Sequence, residues 1–85
     1  MLHDRIDTAI LALTEARGVE KTVCPSEVAR QLQPHDWRPL MDPIRIRARV
    51  LALDGRIDIC QAGRSIDPRH DWKGPIRLRY RIAKP

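Results

Sequence analysis

An α+β fold of the winged helix-turn-helix kind, three helices packed on a small antiparallel sheet, is predicted by three observations. The run Ile76-Arg77-Leu78-Arg79-Tyr80-Arg81-Ile82 alternates strictly between apolar and arginine side chains. A strand turns successive side chains to opposite faces, so Ile76, Leu78, Tyr80 and Ile82 can cover a core while Arg77, Arg79 and Arg81 face water. A second alternating run, residues 56–61, lies earlier in the chain, and the two strands pair most simply antiparallel. Three stretches with helical spacing precede both, giving the order helix, short strand, short helix, helix, strand, wing, strand. The length of 85 residues predicts one domain over 1–85 with a small core.

The first helix is expected over residues 4–17. Ile6, Ala9, Ile10 and Leu13 fall on one stripe, which Leu2 and Ala16 extend, and Gly18 stops it. Lys21-Thr22-Val23 is short and β-prone. Cys24-Pro25-Ser26-Glu27 then starts a second helix, with proline at the first helical position and glutamate in the first turn. Cys24 stands where a serine or threonine cap is usual and is a weaker acceptor. Pro34 disfavours helix in the residue before it and ends this helix near Gln33.

Gln33-Pro34-His35-Asp36 is a turn, and Trp37 is expected to pack in the core. Asp42-Pro43 opens the third helix, which runs to about Asp54 and is the candidate recognition helix. Ile46, Val50 and Leu53 point one way along it, while Arg45 and Arg49 share another face with Ala48 and Ala52. On this reading Ile44 and Leu51 are left exposed. Gly55 ends the helix, residues 56–61 form a strand, and residues 62–75 form a loop, the candidate wing.

Four segments together carry a family resemblance: residues 21–29, from Lys21 through Cys24-Pro25-Ser26-Glu27-Val28-Ala29; Asp36-Trp37-Arg38-Pro39-Leu40-Met41; Asp54-Gly55-Arg56-Ile57; and Gly74-Pro75-Ile76-Arg77-Leu78. The chain resembles, over roughly residues 5–80, a small bacterial family classed only as a domain of unknown function, family 3253. The resemblance implies a winged-helix-like fold and brings no activity with it. The loop Pro68-Arg69-His70-Asp71-Trp72-Lys73 departs from that family in its length and aromatic content.

Charge is distributed unevenly. Residues 1–43 hold five basic and seven acidic side chains, a net of −2, whereas residues 44–85 hold eleven basic and four acidic, a net of +7. Most of the basic residues in the second half are arginine, whose planar fork matches phosphate. The expected partner is duplex DNA. Arg45, Arg47 and Arg49 on the third helix and Arg64, Arg69 and Lys73 on the wing are the candidate nucleic-acid contacts. Between Ile44 and Leu53 the helix has no Ser, Thr, Asn or Gln, so arginine alone is available to read bases and phosphates supply most of the affinity. Such a protein would act as a transcription regulator or nucleic-acid accessory. The alternative is a winged-helix protein-interaction module using Ile44, Leu51 and Trp72, since fold does not fix function.

Several classes are set aside. His3, His35 and His70 are far apart, and two isolated cysteines make neither a zinc site nor a disulfide framework, so no metal and no cofactor are expected. Cys24 and Cys60 are expected as reduced thiols in a cytoplasmic protein. No apolar run approaches a membrane span, and the first residues lack a signal-peptide profile. No nucleophile elbow, phosphate loop or carboxylate pair is present, so the chain reads as a non-enzyme, a monomer or weak homodimer.

Overall fold

The computed structural model describes residues 1–82. Helix α1 (Leu2–Arg17) is followed by α2 (Pro25–Leu32), a 3-10 turn (Arg38–Leu40) continuous with α3 (Met41–Leu53), and strands β1 (Ile57–Gln61), β2 (Arg64–Ile66) and β3 (Arg77–Tyr80). The sheet order is β2-β1-β3, all antiparallel, and an isolated bridge joins Val23 to Leu78 on the far side of β3. This is a winged-helix-like α+β fold.

The core forms where the helical stripes meet the inward face of the sheet. Ile6, Ala9 and Ile10 of α1, Val28 and Ala29 of α2, and Ile44, Ala48 and Leu51 of α3 pack with Ile57, Ile59, Ile76 and Leu78. The α1 stripe continues through Thr14, not Leu2 or Ala16, both of which are exposed. Thr14 is buried because its hydroxyl donates to the Ile10 carbonyl at 2.7 Å, which removes the cost of a free donor. At the start of α2 the weak Cys24 cap is compensated by Glu27, whose Oε2 accepts from the Cys24 N–H at 2.7 Å.

The third helix corrects the expected register. Ile44, Ala48, Leu51 and Ala52 are buried, whereas Ile46, Val50 and Leu53 are 63%, 41% and 54% exposed. Both sets recur at helical spacing. The choice falls to the first because Ala48 and Ala52 lie on the same side and let the helix approach its neighbours closely. An Ile46-centred contact would instead have brought Arg49 toward the core. Ile44 and Leu51 are therefore not available to a partner.

The expected wing loop contains a strand. Ala62 and Gly63 both take left-handed backbone angles, φ 50 and φ 79, and form a two-residue turn that folds β2 back on β1. Positive φ at both central positions suits the right-handed twist of a hairpin. At the other end β3 stops at Tyr80. Ile76 and Leu78 are buried as the alternation requires, Tyr80 is half-buried, and Ile82 is 68% exposed beyond the strand. Cys24 is half-buried and Cys60 buried, and both are free thiols.

The register of α3 is checked by two alanine substitutions. Ile44→Ala is expected to lower the unfolding free energy by about 2–5 kcal/mol, as for a fully buried aliphatic side chain. Ile46→Ala is expected to change it by less than about 0.5 kcal/mol. Equal urea midpoints for the two variants would overturn the assignment.

Candidate nucleic-acid interface

The arginines of α3 lie on two flanks of the helix. Arg45 and Arg49, one turn apart, face the segment 67–75 that returns from β2 to β3. Arg49 Nη1 donates to the Pro68 carbonyl at 2.7 Å and the His70 carbonyl at 3.1 Å, and its Nη2 lies 3.5 Å from Asp71 Oδ1. Its guanidinium sits 4.2 Å from the centre of the Trp72 ring. Arg45 Nη2 donates to the Gly74 carbonyl at 3.1 Å, with its guanidinium 6.0 Å from the same ring. These two side chains supply the donors that an otherwise irregular segment needs for its carbonyls. Trp72 is thereby held, half-buried, against α3.

Arg47 takes the opposite flank and makes a two-pronged bond with Asp7 of α1, at 2.8 and 2.7 Å. Both side chains are about one quarter exposed or less (25% and 20%), so the pair is partly shielded from water. Asp7 raises the Arg47 guanidinium above its ordinary value, chiefly through this hydrogen bond. Arg47 is a staple between α1 and α3.

The wing segment has its own local order. Asp67 accepts from the Arg69 backbone N–H at 2.9 Å, and from the Arg69 side chain at 3.1 and 2.9 Å. The Arg69 side chain first, then its backbone N–H, pulls the Asp67 carboxyl from 3.8 to about 2. Gln61 Nε2 donates to the carbonyls of Lys73 and Pro75 and pins the end of the segment to β1. Arg64 and Lys73 remain exposed, with no carboxylate partner among the described residues. Of the six candidate contacts, the fold thus brings Arg45 and Arg49 to the flank of α3 that faces the segment carrying Lys73, and leaves Arg64 exposed at the start of β2. Arg47 is directed away, and Arg69 carries its own counter-charge.

The arginine row of β3 is also engaged. Arg79 is paired in register with Asp58 and bonds it at 2.9 Å, Arg81 approaches the same carboxylate at 3.8 Å, and Arg77 bonds Thr22. Arg17 joins this edge by donating to the Thr22 carbonyl and to Glu27 Oε1 at 2.6 Å. The Arg17 bond, then the Cys24 N–H, lowers the Glu27 carboxyl below its ordinary value.

One cluster escaped the sequence reading. Trp37 is half-buried against the core, and the guanidiniums of Arg30 and Arg38 both lie 4.6 Å from its ring centre. Arg38 adjoins Trp37 in sequence, a usable signal. Arg30 reaches it only because α2 and the 3-10 turn pack together. The outward face of α3 carries the exposed apolar residues Ile46, Val50 and Leu53.

Burial pushes the Cys60 thiol up, which disfavours the nucleophilic thiolate. Among the described residues no three His, Cys, Asp or Glu side chains are grouped to hold a metal ion, and no helix is long and apolar enough to cross a membrane.

Residues 3–81 match the protein family described as a protein of unknown function (DUF3253), and the chain belongs to that family. No curated protein matches it.

The Asp67–Arg69 pair gives a pH signature. Because the folded Asp67 carboxyl is depressed, its contribution to stability is fully present above the ordinary carboxylate value of 3.8 and is lost as pH falls through about 2. Carboxyl 13C NMR is expected to find its midpoint near 2, and Arg69→Ala is expected to raise that midpoint toward 3.8. A midpoint unmoved by the substitution would show that the pair does not form in solution.

Proposed function

We propose that this protein binds duplex nucleic acid through its phosphates, with little reading of base sequence, as a helix-turn-helix accessory or regulator in the cytoplasm. The observation that supports this most directly is where cations lack a counter-charge. Arg64 and Lys73 on the wing are exposed and free of carboxylate partners among the described residues, and Arg45, whose acceptor Gly74 adjoins Lys73, bonds only a carbonyl. The nearby acids Asp67 and Asp71 are occupied by Arg69 and Arg49. The helix between the flanks offers no amide or hydroxyl to base edges. Phosphates carry no sequence information, so binding of this kind is strong at low salt and indifferent to sequence. The role is that of a binding module and not of an enzyme.

A second reading, docking of a protein partner on α3, draws support from the exposed Ile46, Val50 and Leu53. The two separate under substitution. Ile46→Asp weakens a protein contact there, whereas charge reversal on the wing does not.

Fluorescence anisotropy with a labelled random duplex tests the first reading. For about four phosphate contacts the logarithm of affinity falls with the logarithm of salt with a slope of about −3.6, or roughly a hundredfold between about 50 and 200 mM. The double charge reversal Arg64→Glu with Lys73→Glu is expected to flatten that slope by about 2. No binding by the unaltered protein at low salt would sink the proposal.

A further inference from the structure

The geometry points to the Arg30–Trp37–Arg38 cluster as a phosphate-binding site for the nucleic-acid backbone, a contact made before α3 and separate from the wing. This inference rests on the duplex-binding reading above and names a second place where the strand is held.

The molecule uses the same device twice, and the comparison carries the argument. Trp72 holds two arginines, and there the guanidinium edges are satisfied. Arg49 bonds the Pro68 and His70 carbonyls and faces Asp71, while Arg45 bonds the Gly74 carbonyl. Trp37 also holds two arginines, each 4.6 Å from the ring centre, but neither bonds a carboxylate or a carbonyl among the described residues. Contact with an aromatic ring occupies the flat face of a guanidinium and leaves the N–H groups on its edge free. Two sets of charged donors are thus oriented on one platform and unspent.

Both charges are exposed, whereas the ring that carries them is half-buried on the core, which fixes the platform. Two guanidiniums held on one ring repel each other, and a phosphate accepting from a guanidinium edge offsets that repulsion. The adjoining acids Asp36 and Asp42 are exposed and form no salt bridge among the described residues, so neither serves as the counter-charge. A phosphodiester fits the donors, because each nonbridging oxygen can accept from a guanidinium edge. The indole itself is covered by the arginines. It is a support for them and not a surface for stacking a base.

The decisive variant is Arg30→Gln with Arg38→Gln, assayed for duplex binding over a salt series. The expected result is a flattening of the salt slope by about 2 with an unchanged urea midpoint. Arg30→Lys with Arg38→Lys keeps both charges and is expected to recover most of the slope, while losing the planar fork and some affinity. A double glutamine variant that binds with the original slope and affinity overturns this site and leaves the wing-based reading standing. An unaltered protein that binds no duplex overturns both. The Nε–H resonances of Arg30 and Arg38 supply an independent readout. They are expected to shift on addition of duplex, and a shift with inorganic phosphate alone and none with duplex would reassign the cluster to a small anion and overturn the backbone contact.

Discussion

Leu78 is where the chain is closed. Its backbone N–H and carbonyl exchange two bonds of 2.7 Å with Val23, while its strand pairs along its other side with β1. One residue near the end of the chain thereby joins the connection between α1 and α2 to the strand that follows α3. Its side chain is fully buried among aliphatic residues from both layers. Water is excluded from these backbone bonds, so leaving them unmade would carry the full desolvation cost of the donors and acceptors. This bridge fixes where the chain between α1 and α2 passes the edge of the sheet.

The arginines elaborate that frame. A chain with such an excess of arginine suggests a surface of free positive charge, yet many of these side chains are structural ties. Arg47 ties α3 to α1, Arg45 and Arg49 tie α3 to the returning wing segment, Arg79 ties β3 to β1, and Arg17 and Arg77 converge on Thr22. Arginine suits this use because its five donors can satisfy several carbonyls at once, and its flat face packs on tryptophan. Exposed pairs contribute little individually. Here they act together by fixing irregular backbone to helices whose own hydrogen bonds are complete.

This division of labour bears on function. The outward residues of α3 are the apolar Ile46, Val50 and Leu53, and cations without partners among the described residues, Arg64 and Lys73 on the wing and Arg30 and Arg38 at Trp37, lie outside it. On the proposed reading, a partner that follows the charge meets the wing and the Trp37 platform as separate points of contact. Phosphates spaced along a strand have that character, and their contacts give affinity without selecting a sequence.

Much of the architecture could be read from residues alone. Strict alternation in β3, proline followed by glutamate at the start of α2, and glycine after α1 and α3 are local signals, because each depends on the backbone angles and side-chain directions of a few neighbouring residues. The β2 hairpin was not legible, because Ala62-Gly63 is a weaker turn signal than asparagine or aspartate before glycine. Nor was the register of α3. Ile44 with Leu51, and Ile46 with Val50 and Leu53, are both apolar stripes, and only the packing of α1 and the sheet against Ala48 and Ala52 chooses between them. The arginines show the same limit. Sequence determined their number and their concentration after residue 44, but the partner of Arg47 lies 40 residues away and that of Arg49 about 20. Which charges are spent and which remain free is a property of contacts between distant segments, and the tertiary structure alone decides it.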